Sequence, residues 1–202
     1  MPRLITKILN KSSTKDRYLV ESSERLILIL IANCSVAYSL EVNLTGADSE
    51  ADIYGIIIGK KNDQIILHTI QNHQAPRTRS NLLVKSVLSD KSSLNFEGFI
   101  SVDPIAQRTD AYQRNENLML SSEAKTESKP ALEILANDVR CTHSATISKI
   151  NCEELFYLES RGISTVAASN MVIEGFFDPI LSHIKSAILK KRILNEINTL
   201  VY

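Results

Sequence analysis

Tryptophan is absent from this chain, and aromatic residues of all kinds make up only 5% of its 202 residues. Enzymes that cleave polysaccharides hold sugar rings on aromatic platforms and act through paired carboxylates. No close acidic pair on a strand face accompanies the missing aromatics, so a carbohydrate-active enzyme is the least favoured reading. Net charge is also absent, since Lys plus Arg and Asp plus Glu both number 23. That balance argues against a role built on bulk attraction to a polyanion, and nucleic acid is not an expected partner. There is no glycine-rich phosphate loop, so ATP hydrolysis would have to belong to another protein. Cysteine is sparse and odd in number, at Cys34, Cys141 and Cys152, with no apolar signal segment, which disfavours a disulfide framework and points to the cytoplasm. The longest apolar run, Leu26 to Ala32, is far short of the roughly 20 residues of a membrane helix, so no membrane role is expected.

What is present is a succession of short β-branched runs. Leu26–Ile31, Tyr38–Leu44, Ile53–Ile58, Ile65–Ile70 and Leu82–Leu88 are separated by Asn, Asp, Gly, Ser and Lys, the composition of turns. The region from Leu4 to about Ile150 therefore reads as all-β, although the runs are too unevenly spaced to prove a coil repeat. Beyond Ile150 the pattern turns helical. Asn151 is an N-cap for a helix ending at Gly162, Ser164 caps a second to about Glu174, and Asp178-Pro179 starts a third. In the third, Leu181, Ile184 and Ile188 fall at helical spacing, and Leu194, Ile197, Leu200 and Val201 continue the stripe. Two domains are expected: a β core over 1–150 and a helical domain over 151–202.

The chemistry concentrates between Glu116 and Gly162. In Cys141-Thr142-His143 the period of a strand turns the thiol and the imidazole to the same side, where both can approach one metal ion. The same stretch resembles the SufB/SufD family of iron-sulfur cluster assembly scaffolds. The family's KPxLEI stands at Lys129–Ile134, its DDVxCxHGAT at Asp138–Thr146 and its LFYLxSRG at Leu155–Gly162. Upstream, HxxPxTxS matches His73, Pro76, Thr78 and Ser80, KxxL matches Lys85 and Leu88, FxGxI matches Phe96, Gly98 and Ile100, and QxTDAYQ matches Gln107 to Gln113.

The resemblance implies a mainly β fold, a right-handed parallel β-helix with a small C-terminal helical domain. It also implies a scaffold rather than an enzyme, on which a transient iron-sulfur cluster forms at a subunit interface. Members of the SufB type carry a cluster-building cysteine where this chain has Asn115, and Glu after the histidine where it has Ser144, so the chain falls on the SufD side. The histidine implicated in cluster assembly corresponds to His143, with Cys141 as a second candidate iron ligand. Expected partners are a SufB-type subunit or a second copy of the chain, paired through the β-helix around Leu132 to Ile147, and a SufC-type ATPase. For the ATPase the candidate anchors are Phe156, Tyr157, Arg161, Phe176 and Phe177, aromatic and arginine side chains of the kind enriched at binding hot spots. The chain resembles a short form of the family without its N-terminal helical domain. The competing reading is a structural pairing module with no metal chemistry.

Overall fold

A computed structural model describes residues 1–11 and 14–200. Eleven strands lead into three helices: β1 Arg3–Leu9, β2 Lys15–Val20, β3 Arg25–Ala32, β4 Val36–Leu44, β5 Glu50–Gly59, β6 Gln64–His73, β7 Arg79–Leu88, β8 Ser93–Val102, β9 Thr109–Met119, β10 Lys125–Ile134, β11 Val139–Lys149, α1 Cys152–Ser160, α2 Thr165–Leu181 and α3 Ala187–Ile197. Odd-numbered strands form one parallel sheet, in the order β1-β3-β5-β7-β9-β11, and even-numbered strands form the other, β10-β8-β6-β4-β2. The chain thus winds between two facing sheets as a β-helix, the architecture that the resemblance implied.

Stacking depends on the corners. Ser23, Asp48, Arg77 and Arg108 all adopt positive φ in the turns that lead from an even-numbered strand to the next odd-numbered one. The amides of Ser23, Asp48, Arg77 and Arg108 donate to the carbonyls of Ala47, Pro76, Gln107 and Asp138, each in the next coil. A left-handed conformation is costly for such residues. Here the inter-coil hydrogen bonds hold it, and Arg77 adds a two-pronged contact to Asp48 at 2.7 Å.

The interior begins aliphatic, with Leu26, Leu28, Leu30, Val42, Leu44 and Ile53 in one buried cluster. A second cluster lies outside the odd-numbered sheet. There Ile29, Ile31, Tyr54, Ile56, Ile58, Leu83 and Val87 are covered by Ile173, Phe177 and Ile180 of α2 and by Ile193 and Ile197 of α3. Strands apolar on both faces, such as β3 and β5, are explained by this double covering. The helices gain the apolar partner they lack alone, and Lys60 clamps the end of α3 through Glu196 at 2.8 Å.

Asn151 caps α1 as expected, accepting from the Glu153 amide, and Gly162 follows that helix with φ of +84°. The expected break at Asp178-Pro179 does not occur. Helix α2 runs through Pro179 to Leu181, and the third helix starts only after Ser186. Proline lacks one amide and crowds the carbonyl four residues back, here that of Gly175. Burial of Phe177, Ile180 and Leu181 against the sheet outweighs that cost. Val201, the last residue of the expected stripe, lies outside the described residues.

Candidate functional site

Strand β11 is the rear edge of the odd-numbered sheet, paired with β9 on one side only. Its register sets Cys141 beside Ala111 and His143 beside Gln113. Ala111 and Gln113 are fully buried in the interior, so Cys141 and His143 both belong to the inward row of the last strand. Their environments differ nonetheless. Cys141 packs against the small cluster of Ile100, Val102, Ala106, Ala111 and Ala136, and burial pushes its thiol up, despite a hydrogen bond with the Ala111 backbone. His143 is exposed, because no further coil stacks on it. Among the described residues no three of His, Cys, Asp and Glu gather closely enough to hold a metal ion.

The edge itself is apolar in places. Ile134 and Leu135 at the end of β10 and Ile147 on β11 are exposed, Ile147 at 60%. The unpaired backbone of an edge strand together with exposed isoleucine is a template for another strand.

The five candidate anchors in the helices do not form one surface. Phe156 and Tyr157 are exposed at 71% and 58%, and the Arg161 guanidinium lies 5.2 Å from the centre of the Tyr157 ring. Phe176 is partly buried, with the Lys85 ammonium 4.4 Å over its ring and Phe177 edge-on at 5.4 Å. Phe177 departs from the expectation: it is fully buried between α2 and the sheet, so its ring glues the helix down and is not available to a partner.

Other motif residues turn out to hold the coils together. His73, with no exposed surface, bonds Thr78 Oγ1 at 2.7 Å through Nδ1 and Ser80 Oγ at 2.8 Å through Nε2. Thr78 in turn meets Thr109 of the next coil at 3.0 Å. The spacing of His, Thr and Ser is therefore that of a corner closed by one imidazole, whose burial lowers its pKa to about 4. Gly98 is required by Gln113, whose amide lies where a Cβ would stand. Lys85 pairs with Glu116 at 2.8 Å as well as covering Phe176. Asn115, at the position of the SufB-type cysteine, is buried and spends its amide on the Val84 carbonyl and on Asn117.

A groove of about 580 Å3 on the outer face of the odd-numbered sheet escaped the sequence reading. It is lined by Arg79, Asn81, Asp110, Tyr112, Arg140 and Thr142, together with Ser80 and His143 of the inward rows. These residues come from three strands and meet only through stacking, so no local pattern announces them.

Residues 12–176 match the family described as SUF system FeS cluster assembly, SufBD core domain. The chain is 33% identical over 168 residues to the iron-sulfur cluster assembly protein SufD of Escherichia coli, a match covering 83% of this chain and 40% of that protein. It is 40% identical over 122 residues to an iron-sulfur cluster assembly SufBD family protein of Synechocystis, covering 60% of this chain and 26% of that one. With a SufBD family protein of Pyrococcus horikoshii the identity is 34% over 139 residues, covering 69% and 31%. The chain thus spans well under half the length of these relatives. Its two-sheet β-helix, its corner motifs and the match over residues 12–176 together make it a member of the SufBD family of SUF-system iron-sulfur cluster assembly proteins.

Proposed function

We propose that the chain serves as a SufD-like scaffold subunit, on which an iron-sulfur cluster is assembled as cargo at a contact with a second subunit. The observation that carries this reading is His143 on the exposed inward row of an unpaired edge strand. A second β-helix added to β10 and β11 would bury that row and bring its own ligands to the imidazole. One chain offering at most Cys141 and His143 supplies too few ligands for a cluster, which wants about four. The second subunit, a SufB-type chain or another copy, would complete the set. A SufC-type ATPase would dock on the outer side of α1, where Phe156, Tyr157 and Arg161 stand free of the core. The scaffold itself turns over no substrate, and the cytoplasm is its proposed compartment. No helix among the described residues is long and apolar enough to cross a membrane.

The test is cluster reconstitution on the paired complex. Neutral imidazole donates a lone pair to iron and alanine offers none. His143→Ala should therefore lower iron and acid-labile sulfide per complex while leaving the thermal midpoint unchanged. Wild-type cluster content in that variant would reject the role of His143. A second reading, pairing without metal chemistry, is favoured by the burial of Cys141 in an apolar cluster. It predicts pairing with no iron dependence in either wild type or variant.

A further inference from the structure

One register row crosses the odd-numbered sheet near the start of its strands: Arg25, Glu50, Arg79, Asp110 and Arg140. The sign of charge alternates at every step. At the front the row is closed by ion pairs, with Arg25 3.5 Å from Glu50 and 2.7 Å from Asp52 of the same strand as Glu50. Toward the rear it opens. Arg79, Asp110 and Arg140 make no ion pair within 4 Å among the described residues, and with Asn81, Tyr112 and Thr142 they line the groove.

Glu50, Arg79 and Asp110 each have an opposite charge on both sides in register, whereas Arg140 has one only, because β11 is the edge. Directly opposed unlike charges stabilise neighbouring strands and like charges repel. We propose that the strand extending the sheet at β11 carries a carboxylate beside Arg140 on the outer face, so that an acidic residue of the partner continues the ladder. The proposal rests on the edge pairing put forward above and names what the partner strand must present.

It also selects against self-pairing of β11. In a two-fold antiparallel pair, opposed residues share a face of the sheet. The outer face of β11 reads Arg140, Thr142, Ser144, Thr146 and Ser148. A second copy would therefore set Arg140 against a hydroxyl residue or against another arginine, never against a carboxylate. The strand's remaining charge, Lys149, is positive too.

Two sets of measurements on the full chain test this, one with a partner and one without. With a SufB-type subunit, Arg140→Glu should weaken the complex by about tenfold and Arg140→Gln by less, with the difference shrinking in 0.5 M salt. Hydrogen exchange of the β11 amides on complex formation reads the edge pairing separately. Protection of β11 with no effect of Arg140→Glu on affinity overturns the carboxylate and keeps the edge. Absence of protection overturns both.

Self-association supplies the second arm, read by sedimentation equilibrium. Placing Glu at Thr142, Ser144, Thr146 or Ser148 gives a second copy the missing carboxylate. One of the four variants should dimerise about tenfold more tightly than wild type, since two symmetric pairs form per dimer. Adding Arg140→Gln should erase the gain, and Lys at the same position should give none. If no Glu variant gains, or if the gain survives Arg140→Gln, the proposal is wrong.

Discussion

Leu28, Ile53, Leu82, Gln113 and His143 form a single inward row across five coils, aliphatic for three and polar for two. A second inward row, four residues farther along the strands, changes in the same sense, from Ala32 and Ile57 to Ser86 and Asn117, which bond each other at 2.6 Å. The even-numbered sheet is polar already at its middle strand. On β6 the inward Thr69 and Gln71 are buried, and neither the Thr69 hydroxyl nor either amide atom of Gln71 or Gln113 has a protein partner among the described residues. Apolar burial is the main source of stability, while an unpartnered buried amide costs about 1–3 kcal/mol. The first coils thus stabilise the fold, and the coils from β6 onward spend some of that margin, toward the edge where a second subunit is proposed to bind.

The largest expected effect tests the front. Leu28→Ala empties a fully buried position and should lower stability by about 3 to 4 kcal/mol in urea unfolding. An equal loss from Ser86→Ala would show that the two ends do not differ. Next comes the imidazole at the corner. His73 has its pKa lowered from 6.5 to about 4 by burial, so the unfolded chain takes up a proton that the folded one refuses. Its contribution is full above pH 6.5 and shrinks by about 3 kcal/mol as pH falls to 4. Denaturation at pH 7, 5.5 and 4 should give a shallower pH slope for His73→Gln than for wild type, and equal slopes would remove the assignment.

A smaller effect probes how the two sheets interlock at the rear. Gly98→Ala should cost about 2 kcal/mol by displacing the Gln113 amide, and Gln113→Ala in the same chain should return part of it. Strict additivity in that cycle would mean that the residues do not meet. Gln113→Met should be the mildest change, and the one of opposite sign. Removing an unpartnered amide at similar length should raise stability by about 1 kcal/mol. A loss instead would place a hydrogen-bonding partner at that amide.

Much of the fold was legible because strands β3 to β7 are runs of branched aliphatic residues bounded by turn formers. The coil repeat was not, and two physical reasons account for this. Stacked residues lie 23 apart at Arg3 and Leu26 but 32 apart at Ser93 and Lys125. The left-handed corners are filled by Ser23, Asp48, Lys61, Arg77, Asp90 and Arg108, which carry none of the signal that glycine would. Proline misled at Pro179 because tertiary burial overrode a local breaker. Of the candidate site, the shared side of Cys141 and His143 followed from strand period alone. Their unequal exposure did not, since it depends on which coil is last. The ladder ending at Arg140 was invisible for a related reason, its members being about 30 residues apart in sequence and adjacent only across strands.

Helix α1 buries no residue, although its neighbour α2 is sealed to the sheet by Ile173, Phe177 and Ile180. In mechanical terms α1 is a lever resting on a stiff mount: with none of its own residues buried, a load applied at Phe156 and Tyr157 is borne mainly where α1 meets α2, and α2 passes it to the outer face of the odd-numbered sheet.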